Sequence, residues 1–237
     1  MNKVFCRKRL LFSFILTGYL IIFNTACGLD TFYELNAPYN DVHKPDCSSI
    51  DYTESYFEFF SAPEPDDGVP LKFFGTDVYY KIYNSSSQLR SEVDAIQSIA
   101  NRDNSNAAAT AMIEGNYKYQ RLRASGHTGA NVLISEAGEK VYIRLSDYPL
   151  YPAQISIDGG TSIGIPVRLR DSSKTFNFKS AVSDSIPKDG EDDVKINGSS
   201  DSEWFVSMFA VAVGQDSSYS MYYSNVLYLG SVRIPVE

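Results

Sequence analysis

The sequence predicts a mainly β protein, an antiparallel β-sandwich with a helix-containing insertion, and three observations predict it. From Ser55 onward, short segments alternate apolar and polar residues with the period of a half-buried strand. Turn signals such as Ala137-Gly138-Glu139, Asp158-Gly159-Gly160 and Ser172-Ser173-Lys174 separate them at hairpin-like spacing. The main helical period is confined to one stretch. Many short strands of this kind bury their apolar sides by pairing two sheets face to face.

The elements follow in chain order. "SYFEFFSAPEP" is an aromatic strand stopped by Pro63 and Pro65. In "TDVYYKIYN", Val78, Tyr80 and Ile82 share one face and Tyr79, Lys81 and Tyr83 the other. A helix follows: Ser85 to Ser87 offer an N-cap, and Leu89, Val93, Ile96 and Ile99 or Ala100 recur at three to four residues, ending near Asn101. A shorter helical turn runs from Ala107 to Glu114, with Asn106 as cap and Gly115 as stop. Strands resume with "YKYQRLRAS", "ANVLIS", "EKVYIRLSDY", "AQISID", "IPVRLR" and "TFNFKSA". The stretch "SDSIPKDGEDDVKINGSSDSE" is charged and Gly-containing, and is expected to be a solvated loop. "EWFVSMFAVAVG" is apolar on both faces and so is expected at the centre of a sheet. A loop and a last strand, "YSNVLYLGSVRIPV", complete the chain.

The N-terminus has a different character. Lys3, Arg7, Lys8 and Arg9 precede an apolar run from Leu10 to Phe23, then the small pair Thr25-Ala26 and Cys27. This is the layout of a secretory signal, and the run is shorter than the roughly 18 to 20 residues of a permanent membrane span. The thiol after the small pair resembles the bacterial lipobox, although Asn24 stands where Leu is usual. "CGLDTFYELNAP" resembles treponemal lipoproteins, and spirochaetal lipoproteins have similarly loose lipoboxes. The resemblance implies a signal peptide over 1–26 and a diacylglycerol on Cys27, with residues 27–49 as lipidated N-terminus and tether and 50–237 as the folded domain. Buried acyl chains yield about 0.8 kcal/mol per methylene, so two or three hold a protein firmly. An ordinary secretory signal is the alternative, with a Cys27–Cys47 disulfide permitted in an oxidising compartment. Under lipidation Cys47 is left without an intramolecular partner.

A second resemblance concerns the sandwich. "WFVSMFAVAVG" followed by "YSNVLYL" resembles the last two strands of a fibronectin type III domain, through Trp204, Val206, Met208, Ala210 and Ser224-Asn225. "FEFFSAPEP" and "VYYKIYN" resemble its second and third strands. Trp204 stands where the family usually has Tyr, and the strand before "SAP" lacks the family's Trp. The resemblance implies an immunoglobulin-like sandwich with an insertion over about 85–200; one larger sandwich of another topology is the alternative.

Composition bounds function. The net charge of −8 becomes −12 once the four cations of the leader are removed, since that segment contains no acids. Such a balance disfavours phosphate backbones, so nucleic acid is not an expected partner. "GGTSIG" places Ser162 in a Gly-x-Ser-x-Gly pattern, but His43 and His127 both precede it, and Pro166 and alternation mark a strand where the hydrolase elbow needs a helix. Ser185 and Lys188 have Ser-x-x-Lys spacing within a Pro-containing loop, where chance explains it. No zinc set is visible. The acids Asp189, Glu191, Asp192, Asp193 and Asp201 lack the spacing of a calcium loop. Neither a catalytic group, a metal site nor a cofactor is therefore expected.

The tyrosines offer a candidate binding surface: Tyr79, Tyr83, Tyr219, Tyr222 and Tyr223 could share an aromatic patch near the last loop. The competing reading is Tyr as strand filler. The function expected from the sequence is a non-enzymatic, lipid-anchored cell-envelope protein, at the outer membrane or the periplasmic face of the inner membrane. Its expected partners are the membrane, through lipid on Cys27, and another envelope or host protein. A lipoprotein binding a sugar or small molecule in an aromatic cleft is the alternative.

Overall fold

A computed structural model describes residues 34–66, 70–102, 105–127, 130–169, 174–182, 185–198 and 203–237. The chain divides into Met1–Tyr33 and Glu34–Glu237, and the second unit is the folded body. The expected signal peptide over 1–26, Cys27 and the start of the tether lie outside the described residues, as does Asp201.

The body opens with β1 (Tyr39–His43), β2 (Phe57–Phe60) and β3 (Lys72–Tyr83), followed by helices α1 (Ser86–Arg102) and α2 (Ala107–Ile113). Next come the short β4 (Gln120–Arg121) and β5 (Arg123–Ala124), then β6 (Lys140–Arg144), β7 (Gln154–Ile157), β8 (Thr161–Gly164) and β9 (Pro166–Val167). The chain ends with β10 (Val194–Lys195), β11 (Glu203–Gln215), β12 (Met221–Tyr223) and β13 (Leu227–Pro235). One sheet has the order β1-β2-β6-β7-β8; a second joins β10, β3 and β11, with β12 and β13 both on β11 and β4 on β3; and β5 and β9 form a small two-stranded sheet. The ladders are antiparallel except β10 on β3.

Strand alternation decides what each face covers. Phe57 and Phe59 of β2, Val141 and Ile143 of β6 and Ile155 and Ile157 of β7 meet Val78, Tyr80 and Ile82 of β3 and Trp204, Val206, Met208 and Ala210 of β11. This is a two-sheet sandwich, mainly β, as the alternation predicts. On the other side of β11, Phe209, Val211 and Val213 pack with Tyr79 and Tyr83 against Leu89, Val93 and Ile96 of α1 and Ala108, Ala109 and Met112 of α2. The helices thus form a third layer. That is why β11 is apolar on both faces, and the expected helix stripe is the one that is buried.

Several boundaries depart from expectation. Residues 34–49, expected to be tether, lie on the body: Leu35 and Cys47 are buried and β1 pairs with β2. Cys47 is a free thiol, with its backbone N–H donating to the Ser231 hydroxyl at 3.2 Å. The segment 85–200 is not an addition to a complete sandwich, because β6, β7 and β8 supply most of the first sheet. Without them β2, which carries Phe57 and Phe59, would keep β1 as its one neighbour in the sheet. "ANVLIS" makes only the bridge Thr76–Ile134, and "TFNFKSA" buries Phe176 and Phe178 without a ladder. Gly75 allows that bridge: its φ is +128° and a Cβ there would lie 2.1 Å from the Ile134 carbonyl oxygen.

Candidate binding surface

The five sequence-predicted tyrosines do not form one surface. Tyr79 and Tyr83 are buried beneath the helices. The Tyr83 hydroxyl donates to Glu92 of α1 at 2.9 Å and lies 3.1 Å from that of Tyr119, which is 2.7 Å from the Ser207 hydroxyl. Lys81 joins the same network, donating to Glu92 at 3.1 Å. Burial, then neighbouring Tyr119 and Glu92, hold the Tyr83 phenol well above its ordinary pKa, so it stays a neutral donor. Tyr223 is half-buried and hydrogen-bonds Tyr79. Tyr222 donates to Asp216 at 3.3 Å, and Tyr219 stands 82% exposed at the tip of the same turn. The structure thus brings Tyr79 and Tyr223 together and leaves Tyr219 alone at the surface. Parity placed Tyr79 and Tyr83 on a common face, but the helices cover that face.

A different aromatic cluster lies on the outer face of the first sheet. Tyr142 and Arg144 point outward from β6, because Val141 and Ile143 point in. The Arg144 guanidinium is almost wholly buried: it donates to the Tyr142 hydroxyl at 2.8 Å and to the Tyr52 and Thr53 carbonyls at 2.7 and 2.9 Å. The carbonyls come from a 3-10 turn, Tyr52–Glu54, capped by Asp51, whose carboxylate accepts from the Thr53 N–H at 2.9 Å. The rings of Tyr56 and Tyr151 lie 5.4 and 5.0 Å from the guanidinium carbon, within cation–π range. Tyr52 stacks on Tyr148 at 5.4 Å, Tyr56 on Tyr142 at 5.0 Å and His43 on Tyr56 at 3.9 Å. Burial is also the main cause that raises the Tyr56 and Tyr148 phenol pKa values. One buried cation thereby fixes tyrosines from three separate segments.

At the edge of this cluster Tyr148 and Tyr151 exchange two backbone hydrogen bonds, each 2.9 Å, around Pro149-Leu150. Proline second and a left-handed residue third is the pattern of a type II turn, whose third position favours Gly. Here it is Leu150, with φ +70° and 95% of its surface exposed. Ile50 is 82% exposed and Tyr52 42%. The exposed acids Asp51, Glu54, Asp147 and Glu237 border the patch. The string Tyr148-Pro-Leu-Tyr-Pro152 was the signal available in the sequence, whereas the contribution of Arg144 depends on residues about ninety positions away.

Two further features are buried or concave. Arg168 is fully buried, and its Nε and Nη2 each donate to Asp193 at 2.9 Å, while Tyr80 donates to Asp193 at 2.7 Å. Glu191 pairs with both Arg168 and Lys174. The stretch around these acids, expected to be a solvated loop, is therefore anchored in the body, with β10 pairing on β3. A cavity of about 380 Å³ lies elsewhere, lined in part by Phe74, Arg121, Arg123, His127 and Ile163. None of the five predicted tyrosines lines it.

The remaining motifs are accounted for locally. Ser162 lies in β8, paired with Ser156 of β7, and Ser185 bonds the backbone of Lys179. Among the described residues there is no cluster of His, Cys, Asp and Glu suited to a metal ion, and no helix long and apolar enough to cross a membrane. Compared with protein-family models, curated proteins and solved structures, the chain finds no match.

Proposed function

We propose that the protein is a non-enzymatic, lipid-anchored module of the cell envelope that binds another protein through the tyrosine-rich end around Arg144. The observation that carries the binding reading is Leu150. A leucine in a left-handed turn position costs about 1 kcal/mol or more against Gly, and its exposed side chain gains nothing from folding. Such strain is typical of interaction sites. The tyrosines beside it are already fixed, so an interface built on them loses little conformational freedom.

The anchoring part rests on the signal-like leader and Cys27, with "CGLDTFYELNAP" favouring a spirochaetal type. The folded unit begins at Glu34, and Leu35 packs beside Gly214 near the end of β11. Tyr148 bonds Arg233, which pairs with Phe205 near the start of β11. Gly214 and Phe205 are nine residues apart on β11, so at about 3.3 Å each these two positions stand roughly 30 Å apart. Support for an immunoglobulin-type, fibronectin III-like kinship is the neighbouring order β3-β11-β13, the third strand beside the last two. The other sheet departs from it, since the strand beside β2 is followed in sequence, not preceded, by its outer neighbour.

Mass spectrometry of the mature N-terminus tests the anchor, with diacylated Cys27 as the expected first residue; retention of residues 1–26 refutes it. For binding, a photo-reactive residue at position 150 in native cells is expected to give a discrete protein adduct that Tyr52→Ala and Tyr151→Ala weaken. An adduct indifferent to both changes, or none, overturns the binding reading.

A further inference from the structure

We infer that the partner at the Leu150 end presents an apolar recess rimmed by lysine or arginine side chains. This inference rests on binding at that end and adds the chemistry of the partner. The patch is built from two segments, Ile50-Asp-Tyr-Thr-Glu54 and Asp147-Tyr-Pro-Leu-Tyr-Pro152. Tyr52 joins them: its ring stacks on Tyr148 at 5.4 Å and meets Tyr151 edge-on at 6.3 Å. Leu150 is 95% exposed on a tight turn, a convex apolar tip that only a concave surface can cover. The two segments carry three exposed carboxylates, Asp51, Glu54 and Asp147, and neither lysine nor arginine.

Neutral donors hold two of these carboxylates, orienting the charge and leaving it in the rim. Asp51 accepts from the N–H and hydroxyl of Thr53 at 2.9 and 2.7 Å. Asp147 accepts from the Ala153 N–H at 2.8 Å and from the Asn177 amide at 2.5 Å. Glu54 lies 3.5 Å from His43 Nε2, an ion pair only while that ring is protonated. Arg144, beneath the patch, directs its N–H groups to a hydroxyl and two carbonyls and offsets one of the three charges. Glu237 also acts on Tyr148, but Lys179 adjoins its backbone partner Phe178, and it is not counted among them. Cationic groups around a recess would complement this rim, whereas a second copy of the chain would set carboxylate against carboxylate. An anionic bilayer surface is disfavoured by the same charge.

The photo-reactive residue at position 150 is the probe, carried by the full chain in membranes isolated from native cells. Raising NaCl from about 0.05 to about 0.5 M shortens the screening length from about 14 to about 4 Å. The yield of protein adduct is expected to fall about fivefold or more, because rim charges act through a salt-dependent attraction. Glu54→Lys is expected to lower it about fivefold, and Asp51→Asn, which keeps a capping side chain, about twofold. Asp94→Lys makes the same change of net charge as Glu54→Lys at an exposed position of α1, in the helical layer, and is expected to leave the yield unchanged. A yield indifferent to salt and to Glu54→Lys would overturn the basic rim while binding through Leu150 stands. An equal loss in Asp94→Lys would trace the effect to net charge, and an adduct of twice the chain's mass would make the partner another copy; either overturns the inference. No adduct, or one with lipid alone, would remove the binding reading and this inference together.

Discussion

Asp193→Ala should be among the most destabilising single changes in the body. Asp193 is fully buried and accepts three hydrogen bonds, two from Arg168 at 2.9 Å and one from Tyr80 at 2.7 Å. Its removal leaves the buried guanidinium with Glu191 alone and deprives the Tyr80 O–H of its acceptor, while the Tyr80 oxygen still accepts from the Leu169 N–H at 3.1 Å. Breaking a buried pair from one side costs about 3–5 kcal/mol. For a unit of this size each kcal/mol moves Tm by roughly 2–4 °C, so the expected loss is about 6–20 °C. Urea unfolding with an unchanged m-value would measure it directly. The cause is the stranded charge and not lost volume, so Arg168→Met, Asp193→Leu and Tyr80→Phe together should recover most of the loss. A single-variant cost below about 1 kcal/mol, or a triple variant no better than the single one, would refute the reasoning.

Further outcomes follow from individual positions. Burial pushes the Asp77 carboxyl from 3.8 up to about 6, against the opposing pull of Arg121, so the folded protein holds that proton more tightly than the unfolded chain. Stability from this group is full below pH 3.8 and is lost as pH rises through about 6, a fall of about 3 kcal/mol at about 1.36 kcal/mol per pH unit. Unfolding free energies of the unaltered chain and Asp77→Asn between pH 4 and 7 should therefore diverge by roughly that amount, and parallel curves would count against it. Gly75→Ala should cost about 2–4 kcal/mol in the same assay, since its Cβ meets a backbone oxygen at 2.1 Å. Leu150→Gly should keep or raise stability by up to about 1 kcal/mol while weakening partner binding; a loss of more than that would show that Leu150 serves the fold.

Much of the architecture was legible because alternation is a local property. The two-faced apolar pattern of β11 and the opposed triplets of β3 can be read from neighbouring residues, and the stripe Leu89, Val93, Ile96 identifies the covering helix. What lies against each face is not local. Tyr79 and Tyr83 have the sequence signature of an amphipathic surface and become buried only because α1 returns over that face, with Glu92 and Ser207 satisfying the polar network. The acids around Asp193 look solvated until Arg168, from an earlier segment, reaches them. Arg144 is likewise invisible as an organiser, since its acceptors are contributed by the turn at Tyr52. Long-range polar pairing, unlike strand parity, leaves no periodic trace in the chain.

The proposed interaction site falls on Leu150 and not on Tyr219. Both are exposed, at 95% and 82%, and both have left-handed backbone, at φ +70° and +68°. Their settings differ. The Tyr219 turn is closed by polar means, with the Asp216 carboxylate accepting from the backbone N–H groups of Ser218 and Ser220 at 2.8 and 2.9 Å. Those bonds explain the turn whatever residue occupies its tip. The Leu150 turn rises from rigid rings around Arg144, and its apolar tip continues onto Tyr52 and Tyr151, a combination that excludes water when a partner covers it. Cross-linking from position 150 should therefore exceed that from position 219 by at least about tenfold, the ratio expected if only one tip is enclosed by about 1.4 kcal/mol more binding energy. Equal yields from the two positions would mean that exposure alone governs contact, and the assignment of the Arg144 end as the binding surface would fall.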